Sequence, residues 1–307
     1  MMWRHWLEYY TVLVVSTCVR WLPRRVGLGF GSMLGRLFHA LYGRRRALAL
    51  DNLKRAFPSR SEDDCHAILH GTFRHFGRHL VDLLIFSGMS SDDMMRHIDL
   101  EGEEHVDQAL SAGRGVMFFT GHFGYWELQV MMHAFRFGPI VMVARTLDNP
   151  LLERLIERIR TRVGTRVIPR QGAVRGLMRT LRARGSVGMM IDQHIQDRSA
   201  VTVDFFARPA ATTSAIASLA LRAGAPIIPV FALPLPGGRY RTIYERPIEP
   251  PAADDPDPIL TYTQRCSDVL EAYVRRQPEL WFWMHRRWRE PDVSEGEFPA
   301  SSERRAE

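Results

Sequence analysis

A histidine and a glutamate five residues apart, His122 and Glu127, form the pair of side chains in this sequence best suited to proton-transfer chemistry. Two glycines, Gly121 and Gly124, flank the histidine and allow a backbone or a substrate to come close. Within one helix, residues five apart point about 140° away from each other, so the two side chains meet only if His122 precedes a helix that Glu127 begins. A carboxylate beside an imidazole fixes its tautomer and stabilises the imidazolium ion. The alternative is a histidine that caps the helix.

Three further polar residues, Arg145, Arg170 and Asp192, each follow a predicted strand. Ligands of open α/β sheets bind beyond the carboxyl ends of the strands, so we expect all three on the same edge as His122. The two arginines are predicted to hold phosphate or another anionic part of a substrate through bidentate contacts, with surface salt bridges as the alternative. Asp192 is a candidate second carboxylate near His122, with helix capping as the alternative.

An alternation of short apolar strands and longer helices, from about residue 113 onward, must position these side chains. The strands are predicted at 116–120, 140–144, 166–168, 187–191, 226–231 and 240–244, and the helices at 125–137, 151–163, 173–184 and 213–223. Such alternation requires crossover connections and a buried, mainly parallel sheet. The sequence therefore predicts an α/β fold, with a mainly parallel central sheet flanked by helices. Residues 47–100 are predicted to be helical.

The N-terminal segment, residues 1–46, has the pattern of a membrane-associated helical region. An apolar stretch at 9–19 ends at Arg20, and it is roughly half as long as the ~20 residues that a spanning helix needs. Beyond it, Gly27, Gly31 and Gly35 are spaced by four, which permits close approach of another helix. We expect two short helices in or against a bilayer, with arginines at the headgroups. The alternative is a helical hairpin packed on the main domain.

The positive charge of the chain lies in this N-terminal segment. Residues 1–50 contain eight arginines and one acidic residue, whereas the other 257 residues balance 33 basic against 33 acidic side chains. That distribution favours an anionic membrane surface as a partner and argues against nucleic-acid binding. No C-x-x-C pair joins the three cysteines, which argues against a disulfide scaffold and a zinc–thiolate site.

Many short blocks, in order between about residues 22 and 289, resemble the bacterial lipid A biosynthesis (lauroyl/myristoyl) acyltransferase family, within the superfamily of lysophospholipid acyltransferase-like proteins that share H-x-x-x-x-(D/E). The blocks are Leu22-Pro23, Arg44–Arg46, Asp51–Leu53, Ala56–Pro58, Gly121–Glu127, Ala144–Pro150, Val167–Arg170, Ile191–Gln193, Val203–Ala210 and Trp281–Trp288. With the N-terminal pattern and the polar composition of the last residues, the predicted division is membrane-associated helices at 1–46, an acyltransferase domain at 47–290 and a disordered tail at 291–307.

This resemblance implies transfer of a fatty acyl chain from a thioester to a hydroxyl group of a membrane glycolipid, most simply a lipid A precursor. The donor would be an acyl carrier protein or coenzyme A, with no other cofactor and no metal. His122 would act as general base with Glu127 as its orienting partner, without an acyl-enzyme, and Asn149 would join Arg145 and Arg170 in substrate binding. The implied location is the cytoplasmic face of a bacterial inner membrane.

Two other classes of function remain open on the sequence. The acceptor could be another glycolipid or a lysophospholipid, although the chain has no Phe-Pro-Glu-Gly block of the kind that binds phosphate in glycerophosphate acyltransferases. Alternatively, the basic N-terminus would suffice for a non-catalytic membrane-binding module. The absence of a G-x-S-x-G segment argues against a serine nucleophile, and the absence of H-E-x-x-H argues against a metal hydrolase.

Overall fold

The computed structural model describes residues 2–144, 147–162, 164–169, 172–196 and 199–288. The helices are α1 (Met2–Trp21), α2 (Arg24–Leu41), α3 (Gly43–Ala56), α4 (Glu62–Phe86), α5 (Ser91–Met95), α6 (Glu103–Ser111), α7 (Trp126–Phe137), α8 (Pro150–Arg162), α9 (Ala173–Arg182), α10 (Ala215–Ala223) and α11 (Pro258–Arg276). The strands are β1 (Ile98–Glu101), β2 (Val116–Thr120), β3 (Ile140–Ala144), β4 (Arg166–Pro169), β5 (Ser186–Met190), β6 (Ala200–Asp204), β7 (Pro209–Thr213), β8 (Ile227–Leu235) and β9 (Arg239–Tyr244).

A seven-stranded sheet, in the order β1-β9-β8-β2-β5-β3-β4, lies at the centre of the fold. Every neighbouring pair is parallel except β8 and β9, which pair in the antiparallel direction. The predicted α/β fold with a mainly parallel, helix-flanked sheet is therefore confirmed. Strands β2 and β3 have their predicted bounds, because each is a short apolar run that is followed by a glycine or a polar residue.

Both faces of the sheet are covered, as a parallel sheet requires. In β2, Met117 and Phe119 belong to one core cluster, while Val116 and Phe118 belong to the cluster on the opposite face. All four side chains are at most 1% exposed. The central strand is consequently held rigidly from both sides, and its carboxyl end has a fixed position.

The glycine stripe of α2 serves helix packing inside the protein. A Cβ atom on Gly31 would lie 2.8 Å from the carbonyl oxygen of Gly77 in α4, and one on Gly77 would overlap the carbonyl oxygen of Gly31. The two backbones are therefore in contact, an approach that only small residues permit. In the described part of the chain, no helix has the length and apolar character needed to cross a membrane.

Two regions differ from the sequence prediction. Residues 98–101 form an edge strand rather than the end of a helical region, and α6 follows them. The sequence did not predict the short antiparallel hairpin β6–β7. Phe206 and Ala207 have positive φ in its turn, where Gly or Asn usually marks such a turn in the sequence. The tail predicted at 291–307 lies outside the described residues.

Candidate active site

Two neighbouring strand ends bring a histidine and a carboxylate together. Strands β2 and β5 are parallel neighbours, and Thr120 at the end of β2 pairs with Met190 at the end of β5. His122 and Asp192 each lie two residues beyond these strand ends, and Nδ1 of His122 is 2.8 Å from Oδ1 of Asp192. The register of the two strands therefore builds this pair.

The Asp192 carboxylate is completely buried and contacts His122 both at Nδ1 and at the backbone N–H. Its Oδ2 atom accepts a hydrogen bond from the backbone N–H of His122 at 2.6 Å and another from the indole N–H of Trp281 at 2.8 Å. Gly121 is necessary for this arrangement, because a Cβ atom there would lie 2.9 Å from Oδ2. Buried carboxylates persist only when their oxygens are satisfied in this way.

The charges of the pair stabilise each other. Burial acts to raise the pKa of Asp192, but the positive charge of His122 and the hydrogen bonds from it hold that pKa below its usual value. Burial likewise acts to lower the pKa of His122, whereas the charge and hydrogen bond of Asp192 raise it above the usual value, and the charge of Glu127 adds to the rise. Asp192 is thus ionised, and His122 is readily protonated.

The second imidazole nitrogen of His122, Nε2, is not bound by Asp192 and can act as a base. Because an ionised Asp192 can only accept, the proton of the neutral ring lies on Nδ1, and Nε2 carries the lone pair. The side-chain amide nitrogen of Gln193 lies 3.2 Å from Nε2, and the His122 side chain is 19% exposed. The imidazole is thus partly accessible, and Nε2 can take a proton from a ligand hydroxyl group that replaces the Gln193 amide.

Glu127 does not take the predicted place at His122. Its carboxylate forms an ion pair with Arg160 of α8, with 2.7 Å between Oε1 and Nη2, while Asp192 occupies the side of the ring that bears Nδ1. The structure therefore has Asp192 at Nδ1 of His122, where Glu127 is expected from the sequence. The reason is that Glu127 lies in the first turn of α7, past the loop that contains His122, where α8 faces it.

Asn149 also has a structural role that differs from the predicted one. Its amide nitrogen donates to the backbone oxygen of His5 at 3.0 Å and to the carboxylate of Glu8 at 2.9 Å, both in α1. Its oxygen accepts from the backbone N–H of Leu151 at the start of α8. Asn149 is 6% exposed, so it ties α1 to α8 and its side chain is not directed at His122. Arg145 and Arg170 lie outside the described residues.

The segment after α11 closes over the histidine loop. The backbone N–H of Phe282 donates to the carbonyl oxygen of His122, and that of Gly124 donates to the carbonyl oxygen of Leu280. Trp281, Trp283 and Arg287 are at most 1% exposed, so these side chains pack into the core. In the part of the chain that the structure describes, no three His, Cys, Asp or Glu side chains come together as a metal site would require.

Comparison with known proteins identifies the family. The profile described as "Bacterial lipid A biosynthesis acyltransferase" matches residues 1–290 of the chain. The chain belongs to this family. As its named members are acyltransferases, the protein is an acyltransferase, and His122 with Asp192 is the pair in the described structure that is arranged for proton transfer.

Curated members of the lipid A acyltransferase family align over most of the chain. The chain is 28% identical to the lipid A biosynthesis lauroyltransferase of Escherichia coli (strain K12) over 93% of this chain and 92% of that protein. It is 25% identical to the lipid A biosynthesis palmitoleoyltransferase of the same organism over 95% and 94%. A phosphatidylinositol mannoside acyltransferase of Mycobacterium tuberculosis (strain CDC 1551 / Oshkosh) is 27% identical over 72% of this chain and 70% of its own length.

Three site residues were given no role by the sequence: Gln193, Arg160 and Trp281. Gln193 adjoins Asp192 and could have been inferred once that residue was placed at a strand end. Trp281 lies 89 residues beyond Asp192, and no local pattern connects the two. Arg160 is one of four arginines in the amphipathic helix α8, and spacing alone does not distinguish it from the others.

Proposed function

We propose that this acyltransferase transfers a fatty acyl chain from an acyl thioester, carried by an acyl carrier protein, to a hydroxyl group of a membrane glycolipid, a lipid A precursor. The acceptor follows from the names of the relatives that align over more than nine-tenths of the chain. Coenzyme A is the alternative carrier of the thioester.

His122 is the proposed general base. Nε2 removes the proton of the acceptor hydroxyl as its oxygen attacks the thioester carbonyl, which forms a tetrahedral intermediate. When that intermediate collapses, the carbon–sulfur bond breaks, and the imidazolium returns the proton to the departing thiolate. Asp192 stays ionised and stabilises the imidazolium between the two steps. Proton transfer by a general acid or base typically contributes ~10²–10⁴-fold. No acyl-enzyme forms.

The observation that carries this proposal is the 2.8 Å contact between Nδ1 of His122 and Asp192, which leaves Nε2 as the basic nitrogen of a side chain that is 19% exposed. Nε2 has an amide neighbour and no carboxylate or metal ligand, which suits the removal of a hydroxyl proton. Glu127 influences His122 through its charge. Arg145 and Arg170 stay predicted ligands for the anionic groups of the substrates.

The N-terminal helices are the proposed contact with the anionic surface of the inner membrane, at its cytoplasmic face. Large apolar side chains that are at least 46% exposed occur along both helices, at Trp3, Trp6, Leu7, Tyr10, Val14, Trp21, Val26, Met33, Leu37 and Leu41. Deletion of these helices would uncover the face of α4 that α2 covers, so substitution is the better test. We expect L37Q/L41Q to reduce flotation with anionic vesicles without lowering thermal stability, and equal flotation would contradict a membrane contact by α2.

The decisive experiment is acyl transfer by the purified protein in mixed micelles, with lauroyl, myristoyl and palmitoyl carrier-protein thioesters and a lipid A precursor. His122→Ala is compared with His66→Ala, which changes a histidine whose side chain is 44% exposed. We expect product with the wild type and H66A, and a rate at least about 10²-fold lower with H122A.

Each other outcome identifies a different function. Product with a total lipid extract, but none with the lipid A precursor, would indicate another glycolipid or lysophospholipid acceptor, such as the mannoside acceptor in the name of the mycobacterial relative. Faster transfer from acyl coenzyme A than from the carrier protein would change the donor. Equal rates for H122A and wild type would refute general-base catalysis by His122.

A further inference from the structure

A surface cleft of about 670 Å³ lies near Nε2 of His122. Gln193, whose amide lies 3.2 Å from that nitrogen, forms part of its wall. Arg44 and Arg45 of α3 line it from one side, and His285 and Arg286 line it from the other. The ring centres of His122 and His285 are 6.5 Å apart, so a group bound in this cleft lies close to the proposed site of proton removal.

The cleft gathers positive charge that the protein itself does not neutralise. Arg44, Arg45 and Arg286 line it without an acidic side chain, and within the described ranges no carboxylate forms an ion pair with any of the three. Arg44 and Arg45 also lie in the first turn of α3, which contains no acidic residue. Cations at the positive end of a helix dipole are unfavourable, so this placement does not serve the stability of α3.

The position of these groups is nevertheless fixed. Arg45 donates to the backbone oxygen of Met284 at 2.9 Å, and the Asn52 amide donates to the backbone oxygens of Trp283 and His285 at 2.8 and 2.7 Å. Both ring nitrogens of His285 are buried, without a hydrogen-bond partner in any other described residue. Burial lowers the pKa of His285 to about 4, so the ring is neutral at neutral pH and can still donate one hydrogen bond.

Planar guanidinium groups and a neutral imidazole donor are suited to the oxygens of a phosphate group. Exposed Leu37 and Leu41, at 51% and 68%, precede Arg44 on the α2–α3 surface, so Arg44 lies close to the apolar side chains that are proposed to contact the membrane. We propose that the cleft formed by Arg44, Arg45, His285 and Arg286 binds a phosphate group of the acceptor glycolipid and thereby presents its hydroxyl to His122. This inference rests on the proposed function and adds the feature of the acceptor that is recognised.

The test compares two acceptors that differ in one group: a disaccharide glycolipid that carries a phosphate monoester, and the same glycolipid after phosphatase treatment, each in neutral detergent micelles. The variant is R44Q/R286Q, which leaves the Arg45 contact with Met284 intact. The matched control is R222Q, which changes an exposed arginine of α10. We expect R44Q/R286Q to raise KM for the phosphorylated acceptor by about 10–100-fold, the range of one or two charge-assisted hydrogen bonds. KM for the dephosphorylated acceptor and for the thioester should stay unchanged.

Two results would overturn the inference. An equal rise of KM on both acceptors would mean that the arginines do not recognise phosphate. A rise confined to the thioester would assign the cleft to the donor. If the wild type transfers no acyl group, the proposed function fails, but binding of the two glycolipids still decides the inference: preference for the phosphorylated form that R44Q/R286Q removes supports it, and equal binding by the wild type refutes it.

Discussion

Replacement of Asp192 by asparagine tests the proposed site most directly, because the geometry dictates how an amide must sit there. The position of Oδ2 receives two donors, the backbone N–H of His122 and the indole N–H of Trp281. Only the carbonyl oxygen of an asparagine can accept both. Its NH2 group must therefore face Nδ1 of His122, and a donor at that position stabilises the tautomer whose proton is on Nε2. The nitrogen that should act as base then carries a proton.

The expected loss is large and specific. In D192N, the wrong tautomer of His122 and the lost stabilisation of its imidazolium should together lower kcat by about 10³–10⁴-fold. This loss corresponds to about 4–5.5 kcal/mol in the activation free energy. KM should change little, since Asp192 is completely buried and cannot contact substrate. The assay is the micellar acyl transfer described above, under saturating thioester and acceptor.

The pH dependence separates this mechanism from simple damage. In the wild type, kcat/KM should rise with pH through the pKa of His122, which Asp192 raises above its usual value. In D192N the raising influence is lost and burial remains, so the midpoint of residual activity should move to lower pH. Loss of activity below tenfold, or a midpoint that moves upward, would refute the assignment of Asp192 as the partner of the base.

Stability should follow the same linkage, with a sign that can be checked. The raised pKa of His122 contributes stability that is present below its unfolded pKa, about 6.5, and is lost as pH rises through the folded value. The lowered pKa of Asp192 contributes stability that is present above about pH 4 and is lost on acidification through the folded value. We therefore expect D192N to lower the free energy of unfolding more at pH 6 than at pH 9, as measured by urea denaturation.

Three further substitutions test the packing that positions the site. Gly77→Ala should lower the free energy of unfolding by about 1–3 kcal/mol, because its methyl group would overlap α2. Gly29→Ala is the control: a Cβ atom there would have no atom within 4 Å, so this change should be neutral or stabilising. Equal melting temperatures of the two variants would contradict the close helix contact. Asn149→Ala should lower the free energy of unfolding by about 1 kcal/mol, because the cap of α8 is lost, and KM should stay unchanged. A higher KM would instead support the predicted role of Asn149 in substrate binding. Asp82→Ala removes the partner of the largely buried Arg24 and should cost about 3–5 kcal/mol in chemical denaturation; a loss below about 1 kcal/mol would show that water reaches Arg24.

The sequence was sufficient for the central sheet and for naming both His122 and Asp192 as neighbours, although it gave the orienting role to Glu127. Continuous apolar runs followed by glycine or polar residues determine β2 and β3, and the strand-to-helix switch at 120–126 places His122 at a carboxyl end. The β6–β7 hairpin was not predictable, because its turn has Phe206 and Ala207 in the left-handed region, which residues other than glycine seldom adopt. The burial of both phenyl rings adjoining that turn, Phe205 and Phe206, is a property of the folded chain only.

The choice of carboxylate shows where local reasoning reaches its limit. Spacing favoured Glu127 because it lies close along the chain, and Asp192 was considered only because it ends a strand. The parallel register of β2 and β5, which pairs Thr120 with Met190, is a long-range property that depends on the burial of both sheet faces. A pair at matched strand ends is held more rigidly than a pair that spans a loop and a helix, and rigid positioning is what an orienting carboxylate must provide.

Catalytic geometry and fold stability converge in the segment 278–288. This segment supplies the indole that binds Asp192 and the backbone N–H that binds the carbonyl oxygen of His122, while Asn52 of α3 binds the backbone oxygens of Trp283 and His285. A shift of α3 would therefore move the phosphate cleft and the imidazole together. The basic residues at the start of α3 are unfavourable for the helix itself. Their place next to this segment gives the proposed cleft and the base a constant separation, so that a bound phosphate would fix which hydroxyl reaches Nε2.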